Sequence, residues 1–294
     1  SLPDVTSPAY TGPIAISGTT QVRARAFPTQ AGYFPGPPHG ETYLLLARAV
    51  TNFSSDLPLI LFHDLGGGPV AATADQFMTM QVFDNTYGRS ALTNAPDLAV
   101  QGTFHRRGQA TFWNPKPNLR VETQDAFGDP LDVPVAGLPA DNDWVFYGID
   151  QYDKVLMHNP LTHELYRALG HYTSRTRFVE VYLKVNAGTA GPITQADYYG
   201  LYVLEEKIKI GKNRVNIDKL QPENTNAPSV TGGYLLSIDK SNPGNPAYVA
   251  DVSMWYLNPD YFEITSPERA SQQQYINNYF TSFYAALTGP DWTD

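Results

Sequence analysis

At 294 residues the chain is long enough for about two domains, and its 42% hydrophobic and 13% aromatic content can build a substantial core, which excludes disorder over most of its length. The absence of cysteine excludes a disulfide framework, a thiolate metal site and a Cys nucleophile, and a net charge of -9 from 20 Lys+Arg against 29 Asp+Glu disfavours a surface that tracks nucleic-acid phosphates. No apolar run approaches the ~20 residues needed to span a bilayer, and 23 Gly with 24 Pro in no collagen-like period predict many turns and loops.

Pro3, Pro8, Pro13, Pro28, Pro35, Pro37 and Pro38 punctuate residues 1–40 around one alternating segment, Ile14 to Phe27. There Val22, Ala24 and Ala26 alternate with Arg23 and Arg25 at the period of a half-buried strand, which predicts a short β module. Apolar runs of strand length follow at 42–47 and 57–62, and Gly66, Gly67 and Gly68 then break the chain. With 79–83 and 100–105 they predict a sandwich-like or extended β layer over residues 40–110. Helical periodicity first appears after Asp153, where Val155, Leu156, Leu161, Leu165 and Leu169 form an apolar stripe ended by Gly170. A helix over 153–170 is predicted, with Asp153 as its N-cap and Pro160 dividing or kinking it.

Residues 178–184 and 198–204 alternate and read as a long-looped hairpin, with the strand at Gly233–Asp239 as its third pairing partner. A last helix is predicted from Pro267 to about Leu287, with Ser266 as N-cap, Tyr275, Ile276, Tyr279, Phe280, Phe283 and Leu287 on one face, and a stop at Gly289-Pro290. The fold class is α+β and strand-dominated. Abundant Tyr, Pro, Gly, Thr and Asn with little Lys match an exported bacterial surface protein, and Ser1 in place of an initiator Met predicts a processed, soluble chain.

The strong catalytic motifs are missing: there is no Gly-x-Ser-x-Gly elbow, Walker lysine loop, His-Glu-x-x-His or Rossmann glycine fingerprint. His158 and His163 are five apart and make a poor metal pair, and His63-Asp64 is a lone dipeptide on a turn. What remains is an ordered set. It comprises Arg107-Gly108, Pro115-Lys116-Pro-Asn-Leu-Arg120, Leu138-Pro-Ala-Asp-Asn-Asp-Trp144, Asp153 to Asn159, Tyr199-Gly-Leu-Tyr-Val-Leu-Glu-Glu-Lys-Ile208 and Gly232-Gly-Tyr-Leu-Leu236. In order and spacing, from about residue 100 to 290, these resemble the spore-coat protein H (CotH) kinase-like family. Ile14 to Phe27 also looks like a chitobiase C-terminal-type β module.

The resemblance implies a β-rich region over 1–100 followed, over 101–294, by part of an atypical protein-kinase-like domain. It further implies a secreted or cell-surface protein that uses ATP with Mg2+ or Mn2+ to phosphorylate protein Ser. Lys116 falls on the family's Pro-Lys position, where a strand lysine would reach the nucleotide phosphates, and Glu206 on its Leu-x-Glu-Lys-Ile position, near the nucleotide. Glu205 and Glu206 point to opposite sides of a strand, so only one can face a cleft. The chain differs from the family in having His158 where Arg is usual and Pro117 after Lys116.

The resemblance implies that the segment carrying the family's catalytic Asp and its Trp-Asp-x-Asp metal ligands is expected beyond Asp294. The domain is therefore expected to be truncated and inactive as given, with Asp239, Asp251, Asp291 and Asp294 the first carboxylates to test if it is not. The alternative is a non-enzymatic extracellular protein, structural, adhesive or carbohydrate-associated, with a surface-assembly partner in place of a protein substrate. Trp144, Leu156, Leu165, Tyr202, Leu204, Tyr234 and Leu236 are expected to pack in one core beneath the 153–170 helix.

Overall fold

The computed structural model describes residues 2–84, 88–108, 111–148, 153–185, 191–238, 247–249 and 252–290. Its contacts group the chain into two units, Ser1–Lys207 and Ile208–Asp294.

The first unit begins with β1 (Thr20–Ala24) and β2 (His39–Tyr43), an antiparallel pair; of the segment Ile14 to Phe27 only β1 is strand. Then follow β3 (Leu59–His63), β4 (Gln76–Phe83), β5 (Leu98–Arg106) and β6 (Leu119–Gln124). A small ribbon, β7 (Val133–Val135) with β8 (Leu138–Asp141), leads to β9 (Asp143–Tyr147), the helix α1 (His158–Ala168), β10 (Thr176–Lys184) and β11 (Tyr198–Glu206). Seven of these strands close a barrel in the order β10-β11-β9-β6-β5-β4-β3. Every neighbouring pair is antiparallel except β3 and β10, which run parallel with Ile60 beside Val181 and His63 beside Lys184. The layer predicted over 40–110 as sandwich-like or extended divides: β2 pairs with β1, while β3, β4 and β5 join β6, β9, β10 and β11 in one closed sheet that leaves no free edge.

Alternation fills the barrel. Ile60, Phe62, Met78, Met80, Phe104, Leu119, Val121, Trp144, Phe146, Val179, Val181, Tyr202 and Leu204 form one buried cluster, while Arg120 and Glu122 stand on the other side of β6. β3 is buried on both faces because Leu59 and Leu61 pack outward under Val50, Leu92, Tyr182 and Ile193, which explains its unbroken apolar run. Gly102 is required where β5 meets β6. A Cβ there would lie 2.0 Å from the Glu122 carbonyl oxygen.

α1 departs from expectation in extent and in environment. Pro160 is its third residue, where the missing N–H has no intrahelical acceptor to lose, so the helix is not kinked. Asp153 lies ahead of the helix but still satisfies its first turn, accepting from the His158 N–H at 2.8 Å. No residue of α1 is buried: Leu156 and Leu165 are exposed, so the expected core beneath this helix does not exist. Trp144, Tyr202 and Leu204 line the barrel instead.

In the second unit, β14 (Val252–Asn258) lies between β12 (Leu235–Ile238) and β13 (Ala247–Val249) in an antiparallel sheet. The strand expected to join the 178–204 hairpin therefore pairs with β14, and the hairpin's outer partners are β3 and β9. A short helix α2 (Tyr261–Ile264), capped by Asp260, and the final helix α3 (Ala270–Thr288) follow. Tyr256, Ile264 and Ile276 form the core of this unit, with Tyr234, Leu236 and Phe280 against it. Only the first half of α3 is held there: Tyr279, Phe283 and Leu287 of its apolar face are exposed.

Candidate functional site

Lys116 lies on a bend just ahead of β6, not on the strand, because Pro117 has no N–H to offer a ladder. That bend is stitched to the end of the barrel. The Asn118 side chain accepts from the Gly148 N–H at 2.7 Å and donates to Thr111 Oγ1 at 2.8 Å, its carbonyl accepts from the Arg107 N–H at 2.9 Å, and Tyr202 donates its hydroxyl to the Pro117 carbonyl at 3.1 Å. Gly108, at a φ of +103°, leaves room for Thr111 Oγ1, which would lie 2.6 Å from a Cβ at that position. The half-buried Lys116 ammonium sits 4.7 Å from the Tyr202 ring centroid and donates to the Leu201 carbonyl.

Glu206 lies on the face of β11 that carries Tyr202 and Leu204 into the barrel, and it is buried. Its oxygens accept from the Arg175 N–H at 3.1 Å and from Arg175 Nε at 2.8 Å, with a second guanidinium nitrogen 2.8 Å away. This charge-assisted clamp ties the end of β11 to the start of β10. Lys207 pairs instead with Asp143 at 3.0 Å. Lys116 touches β11 at Leu201 and Tyr202, so four residues of strand, about 13 Å, separate it from Glu206. The structure does not bring the two together.

Glu205 points the other way, opposite Val145 on β9 and Thr176 on β10. Burial pushes its carboxyl up from 4.5 to about 7, with Arg107 pulling in the opposite direction, and its Oε1 has no hydrogen-bond partner among the described residues.

A second buried polar cluster escaped sequence reasoning. The parallel register of β3 and β10 sets His63 beside Lys184, whose ammonium bonds Asp197 at 3.0 and 3.3 Å. Asp197 also accepts from the Thr194 N–H and hydroxyl at 2.7 and 2.9 Å. His63 is fully buried. Its Nδ1 accepts from the Leu65 N–H at 2.8 Å, which fixes the ring proton on Nε2, and Nε2 has no partner among the described residues. Burial lowers the His63 pKa; Asp64 opposes that shift, Lys184 adds to it and Asp197 opposes it. The signal in the sequence was a His closing a strand buried on both faces, but its partners lie over a hundred residues away.

His158 binds Asp153 across 3.1 Å and His163 meets Thr173, so each has a local partner. Among the described residues no three His, Asp or Glu side chains are grouped so as to hold a metal ion. Asp239, Asp251, Asp291 and Asp294 lie outside the described residues. Of the two residues the resemblance implied for ATP, Glu206 is buried and engaged by Arg175, and Lys116 is half-buried against the Tyr202 ring.

Compared with known families, the chain matches the one described as CotH kinase protein over residues 104–290, more than half its length, starting within β5. Among curated proteins and among solved structures, none matches.

Proposed function

The chain belongs to the CotH kinase protein family, and from that premise we propose that it forms the β-barrel part of an extracellular atypical protein kinase directed at protein Ser, and that this polypeptide alone does not transfer phosphate. The observation that carries the reading is the family match over residues 104–290, with Lys116 half-buried at the end of the barrel. Glu206 serves as an anchor of the barrel. Lys116 is the candidate phosphate contact, since the residue is half-exposed at the end of the barrel and carries a cation that can meet an anion. Transfer would further require carboxylates that hold a divalent cation and accept the hydroxyl proton.

A location outside the cell fits the family, and among the described residues no helix is long and apolar enough to cross a membrane. The second reading, a non-enzymatic surface protein, is favoured by the exposed rings of Tyr10, Phe34 and Trp113. Incubation with radiolabelled ATP, Mn2+ or Mg2+ and a Ser-rich protein tests the first reading. No label should reach protein Ser, while ATP should raise the melting temperature of the chain and not that of Lys116→Ala. Label transferred by the chain and lost in Lys116→Ala would overturn the inactivity; a melting temperature indifferent to ATP in both would favour the surface role.

A further inference from the structure

β1 and β2 form a ribbon of their own, ahead of the family match at 104–290, so family membership assigns it no role. The outer side of β2 is taken, since the Thr42 carbonyl accepts from the Gln81 side chain of β4 at 3.2 Å. β1 has no second partner strand among the described residues. Beside it opens a cleft of about 1130 Å3 whose far wall is the segment 2–14. Val22, Arg23, Ala24 and Arg25 all line this cleft. Successive residues of a strand face opposite ways, so one cavity touches all four only along the strand's edge. The backbone of 2–14 makes no backbone hydrogen bond to β1 among the described residues; Ser7 N–H bonds the Asp4 carbonyl within the segment. An outer strand edge directs N–H and C=O groups away from its one partner, and the cleft has room for several residues of extended chain along it.

The side chains on that edge select the kind of chain. Arg23 donates to the Ala126 carbonyl and the Arg25 guanidinium lies 5.7 Å from the Phe127 ring centroid, so both reach the same turn from one face of the strand. Arg25 is held twice more, its Nε donating to the Gly36 carbonyl at 2.7 Å and its guanidinium 5.6 Å from the Phe27 ring centroid. The two terminal nitrogens of Arg25 have no hydrogen-bond partner among the described residues. A fork fixed in this way suits a carboxylate, and Arg23 adds a second positive charge two residues away. Val22 and Ala24 occupy the opposite face, and the far wall offers the exposed Tyr10 and Ile14. Asp4, the one acidic residue lining the cleft, turns its carboxylate onto the Thr6 N–H and hydroxyl at 2.8 and 2.6 Å.

We propose that the outer edge of β1 captures an extended peptide segment in which Asp or Glu alternates with apolar residues. The segment adds a strand to the ribbon, with its carboxylates on the face of Arg23 and Arg25 and its apolar side chains on the face of Val22 and Ala24.

Isothermal titration calorimetry of the whole chain with acetyl-Val-Glu-Val-Glu-Val-amide is the test. The peptide should bind with a Kd on the order of 10–100 µM, more weakly as salt is raised. Arg25→Gln, checked for an unchanged circular dichroism spectrum, should weaken it roughly tenfold or more, while a change at the exposed Lys154, Lys154→Gln, should leave it as in the parent. A second measurement varies the peptide alone: N-methylation of one alternate set of its amides should abolish binding and that of the other set should not, because only one set faces β1. No heat up to about 1 mM would overturn the proposal, as would equal binding of acetyl-Val-Lys-Val-Lys-Val-amide, of both methylated sets or of Arg25→Gln. So would an affinity that falls as the chain is concentrated, which would put a second copy of the chain in the cleft.

Discussion

Replacing Glu205 by Gln should make the barrel progressively more stable relative to the parent as the pH rises from acid to alkaline. The folded carboxyl titrates near 7 and the unfolded one near 4.5, so the native state holds its proton more tightly. A carboxyl raised in this way lends its full stability below the unfolded value, loses it as pH climbs between the two, and imposes a constant penalty above 7. At ~1.36 kcal/mol per pH unit the full loss is about 3 kcal/mol, of which roughly 2.5 should appear between about pH 5 and pH 8. A buried Gln amide costs about 1–3 kcal/mol if its hydrogens find no acceptor, but that cost does not change with pH and cancels in the comparison. Urea denaturation of both proteins across this range, followed by tryptophan fluorescence with Trp144 inside the barrel, measures the difference directly. If the two stabilities run parallel from pH 5 to pH 8, Glu205 has an ordinary carboxyl and the burial argument fails.

Arg175→Ala should cost about 3–5 kcal/mol in the same denaturation assay, since the buried Glu206 carboxylate loses its guanidinium partner; a loss under about 1 kcal/mol would make the pair incidental. Gly102→Ala should cost about 3 kcal/mol or more, because its methyl would overlap the Glu122 carbonyl and force β5 from β6, and an unchanged melting temperature would contradict that close approach. His63 has a lowered folded pKa, so its contribution to stability is complete above about 6.5 and falls away as the pH drops below it. His63→Gln should therefore flatten the acid limb of the stability curve. A protonated ring would also turn a donor toward the Leu65 N–H, so amide exchange at Leu65 should quicken in acid in the parent more than in the variant.

Much of the fold could be read from local pattern. Strand pattern marked β4, β5 and the β10–β11 hairpin, the apolar run marked β3, and the terminal helix began and ended close to its punctuation at Pro267 and Gly289. Closure of the barrel could not be read, because it rests on the pairing of 59–63 with 180–184, and nothing local in either segment names the other. The stripe on α1 was visible as periodicity, yet periodicity tells which residues share a face and not what that face meets. At 205–206 the sequence showed that one carboxylate of the two could line a cleft. In the structure Arg175 binds Glu206, and Glu205 keeps one oxygen with no hydrogen-bond partner among the described residues.

The parallel seam between β3 and β10 sets a timetable for biosynthesis. β3 leaves the ribosome with one neighbour, β4, and its other edge stays unpaired until the chain has grown by well over a hundred residues, on the order of ten seconds at ordinary elongation rates. Through that interval an apolar strand with free N–H and C=O groups is open to pairing with other nascent chains. Closing so long a loop slows folding more than it weakens the finished barrel, because loop entropy grows only logarithmically with length. A piece that stopped ahead of Thr176 would keep this edge open throughout its life, and a piece begun after His63 would expose the matching edge of β10.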